Sequence, residues 1–104
     1  MSIRIISISI LLIIQFSCKK EKNSPLPKAN FFVEILDCAG GECDVKLFDN
    51  SENAVSWEWK VEGEIVSVLK NYLISLSAGE SYSVQLKVNN SDGIEAVKVK
   101  VIVV

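Results

Sequence analysis

The sequence predicts an all-β protein, an antiparallel sandwich, and three observations lead there. Apolar and polar residues alternate with period two through most of the chain after residue 28, the mark of half-buried strands. Clusters of Gly, Asn, Asp and Ser interrupt the alternation every ~8–12 residues, the spacing of a sandwich of short strands. No segment pairs a helix cap with a clean apolar helical face.

The elements follow in order. Ala29, Phe31, Val33 and Ile35 alternate with Asn30, Phe32 and Glu34, so the first set is expected inside. Val45 and Leu47 flank Lys46 in the same way. Val55, Trp57, Trp59 and Val61 alternate with Ser56, Glu58, Lys60 and Glu62. Residues 65–76 are harder to read; two short strands, Ile65 to Leu69 and Tyr72 to Leu76, fit better than a helix. Tyr82, Val84, Leu86 and Val88 form an inward set against Ser83, Gln85 and Lys87. In the last strand Val97, Val99, Val101 and Val103 alternate with Lys98 and Lys100, and Ile102 and Val104 break that phase. The expected core is therefore led by Phe31, Trp59, Tyr82, Val84 and Leu86.

Cys38 and Cys43 stand on either side of Gly40-Gly41. If that turn joins antiparallel strands, the thiols face each other and bridge. A metal or redox pair is the alternative, but the spacing is not C-x-x-C and the chain has no histidine to complete a ligand set. The missing histidine also removes the commonest general base. No serine has a base to activate it, and nothing gives a carboxylate pair cause to shift its pKa, so no enzyme activity, cofactor or metal is expected. The 104 residues carry 11 basic and 13 acidic side chains, a net charge of −2. No basic patch stands out, and nucleic acid is not an expected partner.

The N-terminus reads as an address. Arg4 precedes the apolar run Ile5 to Ile14, then Gln15-Phe16-Ser17-Cys18 and Lys19-Lys20-Glu21-Lys22. Only residues 5–18 are continuously uncharged, short of the roughly 20 that cross a bilayer. The segment resembles a bacterial lipoprotein signal peptide of the relaxed kind found in Bacteroidetes-type bacteria. Ser17 matches the small residue before the cysteine, whereas Phe16 and Gln15 match weakly. An ordinary cleaved signal and an uncleaved anchor are the alternatives. The resemblance implies a signal peptide at 1–17, a lipid on Cys18, and a flexible tether to residue 28 in which Pro25 and Pro27 exclude regular structure. One domain, 29–104, then remains. Acyl chains on Cys18 imply a membrane anchor. The absence of Asp after Cys18 favours the outer membrane, and the Lys/Glu cluster weakly resembles surface-export tethers.

The domain itself resembles the PKD (polycystic-kidney-disease type) immunoglobulin-like sandwich. Ala29-Asn30-Phe31 looks like the family's A-x-F, and Val45-Lys46-Leu47-Phe48-Asp49-Asn50-Ser51 like its V-x-F-x-N-x-S. Trp57-Glu58-Trp59 resembles W-D-F, Gly79 to Val88 resembles G-x-Y-x-V-x-L-x-V, and Asn89 to Gly93 contains the N-x-x-G turn. The likeness implies that Trp59 is the core tryptophan and that the Tyr82 hydroxyl anchors a turn. The family's G-D-G is replaced by Val61-Glu62-Gly63-Glu64, which leaves only Glu62 and Glu64 near the turn where some members bind calcium.

Three aromatic residues are candidates for a binding surface. Phe32 and Phe48 are out of phase with the apolar set of their strands. Trp57 shares a face with Trp59, and is either core or, being nearer the strand start, a stacking surface. The expected function is a non-catalytic, lipid-anchored envelope module that binds a glycan or an extracellular protein. The alternative is an accessory lipoprotein that docks on another envelope protein, with the last strand adding to a partner's sheet.

Overall fold

The computed structural model describes residues 24–104. The signal segment, Cys18 and the tether as far as residue 23 lie outside the described residues. Seven strands follow: β1 (Phe31–Ala39), β2 (Glu42–Asp49), β3 (Ser56–Val61), β4 (Glu64–Ser67), β5 (Tyr72–Ser77), β6 (Ser81–Asn89) and β7 (Glu95–Val103). They form a three-stranded sheet, β1-β2-β5, and a four-stranded sheet, β4-β3-β6-β7, with every pair antiparallel. This is the antiparallel sandwich that the alternation predicts, in the immunoglobulin-like form that the resemblance implies. Residues 65–76 do form two strands, split by a loop at residues 68–71.

The core comes from one face of each sheet. Phe31, Val45, Leu47 and Leu76 meet Trp59, Val61, Val84, Leu86 and Val88. Trp59 is fully buried, packs edge-on against Phe31 with ring centroids 5.1 Å apart, and donates its indole N–H to the Leu69 carbonyl at 2.9 Å. Tyr82 packs against this cluster, and its hydroxyl accepts the Ser77 N–H at 2.9 Å, fastening the turn between β5 and β6.

Two tight hairpins set the registers. Gly40-Gly41, with φ of 63° and 83°, closes β1–β2, where Ala39 lies opposite Glu42. Both residues need the left-handed region, which glycine enters without steric cost. Glu62-Gly63 closes β3–β4 with φ of 52° and 83°. Glu62 is held there because its N–H donates to the Ser83 carbonyl and its carboxylate accepts the Ser83 N–H. That carboxylate is thus occupied within the fold. Among the described residues no three of Cys, Asp and Glu cluster as metal ligands.

Cys38 and Cys43 form the disulfide and lie directly opposite one another. Replacing both with alanine is expected to lower stability by about 2 kcal/mol, because the bridge restricts a short loop in the unfolded chain. Urea unfolding of the two forms measures it, and equal midpoints would show the bridge to be energetically idle.

Four expectations change. The register of β1 shifts between Ile35 and Cys38, so one extra residue is accommodated there. This bulge sets Cys38 opposite the buried Cys43 and leaves Ile35, Leu36 and Cys38 itself exposed beyond the core. Val55 lies before β3 and is exposed rather than inward. The phase of β7 is the reverse of that expected. Lys98 lies opposite Leu86 and Lys100 opposite Val84, so the lysines share the inward face with Ala96, Ile102 and Val104. Val97, Val99, Val101 and Val103 face solvent.

The fourth change concerns the tether. Ser24 to Lys28, assigned to it from sequence, are hydrogen bonded to the domain. The Ser24 N–H donates to Asp92, Asn90 donates to the Pro25 carbonyl, Asn53 donates to the Leu26 carbonyl, and Lys28 forms an antiparallel bridge with Glu52. Asn90, the buried polar side chain among the described residues, accepts the Asp92 and Ile94 N–H groups with its Oδ1. It therefore joins the β6–β7 turn to the incoming chain.

Candidate binding surface

Phe32 and Phe48 are brought together. They are opposite partners in the β1–β2 ladder, on the outer face of the three-stranded sheet. Their neighbours Phe31 and Leu47 point inward and are fully buried, which forces both rings out. Phe32 is 57% exposed, and Phe48 is half-buried.

Lysines border the pair. The Lys46 ammonium sits 4.8 Å from the Phe48 ring centroid. Lys100 reaches across from β7, donates to the Phe31 carbonyl, and lies 6.0 Å from the Phe32 centroid. Such contacts contribute about 0.5–1 kcal/mol each at exposed sites and keep the rings oriented. Lys46 has Glu34 opposite it on one side and exposed Leu73 on the other. The result is an open, shallow apolar face bordered by Lys46, Glu34 and Lys100. No pocket is found among the described residues.

Trp57 does not join this surface. It lies opposite Val88, whose side chain is buried, and so faces the interior of the other sheet. There it packs against the core, half-buried, with Lys70 6.0 Å from its ring centroid. Its indole N–H is buried without a protein acceptor. Core packing is thus the role the structure gives this side chain.

Glu62 and Glu64 flank Gly63, but the ladder places Glu64 opposite Val61 at the hairpin end while Glu62 turns back to Ser83. The feature that sequence reasoning missed is the Phe32–Phe48 pairing. Its signal was present only as two out-of-phase aromatics on neighbouring strands.

The fold defines the class: an immunoglobulin-like β-sandwich that is PKD-like. Solved PKD domains superimpose on it. The PKD1 domain of Vibrio anguillarum Epp matches with a TM-score of 0.60 and 24% identity, covering 77% of this chain and 94% of that one. The PKD1 domain of the Vibrio cholerae metalloprotease PrtV matches with a TM-score of 0.60 and 26% identity, covering 74% and 94%. No protein-family model matches the chain, and no curated protein does.

Proposed function

We propose that the chain is a non-catalytic binding module of a bacterial cell envelope, anchored by lipid at Cys18, whose Phe32–Phe48 face recognises a glycan. The observation that carries this reading is the cross-strand aromatic pair held outward beside Lys46 and Lys100. Rings fixed on a sheet present flat apolar area at little entropic cost, which suits the apolar faces of sugar rings.

Glycan-array binding of the wild type and of the Phe32→Ala/Phe48→Ala double variant tests it. Truncating an aromatic anchor costs about 2 kcal/mol or more, so the double variant is expected to bind at least roughly 30-fold more weakly. Its circular dichroism should match the wild type, since both rings lie outside the core. Binding unaffected by the double substitution, or no glycan bound, would sink the reading. Anchorage is tested separately, by metabolic labelling with a fatty-acid analogue. Label should enter the wild type and be absent from Cys18→Ser.

A further inference from the structure

The outer edge of β7 is a feature of the surface with no assigned role. Its ladder with β6 is fixed at both ends: Val104 donates to the Glu80 carbonyl and Asn90 to the Ile94 carbonyl. Antiparallel pairing alternates, so Ala96, Lys98, Lys100 and Ile102 turn their backbone groups to β6. Val97, Val99, Val101 and Val103 must then direct their N–H and C=O groups away from it. β7 ends the sheet order, so these groups have no strand partner among the described residues. The same four valines expose their side chains on the outer face, by 51%, 50%, 72% and 67%. One strand thus offers a row of free backbone groups and a continuous apolar stripe.

The inward lysines decide what fits. Cross-strand neighbours share a face, so an added strand would place alternate side chains beside Lys98 and Lys100. No carboxylate lies within 4.0 Å of either lysine among the described residues, Lys100 donating instead to the Phe31 carbonyl; Lys87, by contrast, contacts Glu58 and Glu95. A second copy brings no carboxylate to these lysines in the central registers: antiparallel self-pairing centred on Val99 sets Lys98 against Lys100 of the other copy, pairing centred on Lys100 sets that residue against itself, and pairing centred on Val101 sets Lys100 against Ile102. Inward lysines discourage edge pairing in general. Here they exclude strands with basic residues at those positions and favour acidic ones.

We infer that the β7 edge binds an extended segment of another protein in which apolar residues alternate with Asp or Glu. Its backbone would pair with Val97, Val99, Val101 and Val103, its apolar side chains would extend the valine stripe, and its carboxylates would meet Lys98 and Lys100. This site lies on the other sheet from Phe48, shares Lys100 with the border of the aromatic face, and does not rest on the glycan reading.

The test uses the full chain purified in detergent and two labelled, end-blocked peptides, one of Val-Glu repeats and one of Val-Lys repeats, each flanked by Ser-Gly. The acidic peptide should bind at least tenfold more tightly than the basic one and weaken as salt rises. Val99→Pro removes only an outward N–H, which edge strands tolerate, and should abolish binding. Lys98→Glu, which leaves Lys100 facing the peptide, should largely cancel the preference for the acidic peptide. Equal binding of both peptides by the wild type, or an undiminished preference in Lys98→Glu, would overturn the inference. So would sedimentation showing a dimer that Val99→Pro dissociates, because the occupant would then be a second copy.

Discussion

Trp59→Ala is expected to lower the unfolding free energy by about 4 kcal/mol, a large share of what a domain of this size possesses. The indole fills the centre of the core, edge-on to Phe31, with no exposure to solvent. Its removal leaves a cavity that two hydrogen-bonded sheets are poorly able to close. The substitution also orphans the Leu69 carbonyl, which receives the indole N–H and holds the loop at residues 68–71 against the sandwich. Trp59→Phe should therefore fall between, retaining much of the packing while losing the bond. Urea denaturation of the three proteins measures the series. A loss below about 2 kcal/mol in Trp59→Ala would mean that the centre of the core lies elsewhere.

Asn90→Ala should cost about 2–4 kcal/mol although it removes little apolar surface. Its amide makes three hydrogen bonds to backbone groups: it accepts from Asp92 and Ile94 and donates to Pro25. Each net bond contributes roughly 1 kcal/mol, and each partner left buried and unpaired adds a penalty of about 1–3 kcal/mol, reduced where water reaches it. The effect should be local as well as global. With its contact to Pro25 gone, the stretch from Ser24 to Lys28 should exchange amide hydrogens faster than β1, whereas in the wild type the two should be closer. Asn90→Asp preserves both acceptor bonds and removes the donor, so it should free that stretch with less damage to the turn. Unchanged exchange at residues 24–28 in both variants would show that Asn53 and the Lys28–Glu52 bridge hold the segment unaided.

The sequence reveals strands whose partners impose one wet and one dry face. β6 is such a strand: Val84, Leu86 and Val88 are all buried, as the alternation requires. β7 alternates just as cleanly, yet alternation alone does not say which set faces in. The Asn90–Ile94 turn decides it by pairing Asn89 with Glu95, and this is a distant constraint on Val97 to Val103. As an edge strand, β7 can point lysines inward, because their long stems reach the rim of the sandwich, as Lys100 does at Phe31.

The binding surface was half legible for a related reason. Phe32 and Phe48 stand out individually as out-of-phase aromatics. Their pairing depends on the bulge in β1. Counting back from Ala39 opposite Glu42 without a bulge would set Phe32 against Asp49, whereas the shifted register sets it against Phe48. A single extra residue thus creates the aromatic pair, and nothing near either phenylalanine announces it. Trp57 stands between core and surface on sequence alone, and its place opposite buried Val88, with Lys70 of the 68–71 loop beside its ring, decides for the core.

The docking of Ser24 to Lys28 has a consequence for height. The chain enters at the end of the sandwich formed by the β6–β7 turn and the residues around Asn53, while the Gly40-Gly41 hairpin lies at the far end of β1. On the proposed anchorage, only residues 19–23 separate Cys18 from Ser24, a span of at most ~20 Å. The nine residues of β1 rise about 30 Å from there. Phe32 and Phe48 sit near the foot of that rise and the disulfide hairpin at its summit. Were the chain anchored in this way, a ligand for the aromatic face would lie nearer the lipid than one that meets the disulfide hairpin.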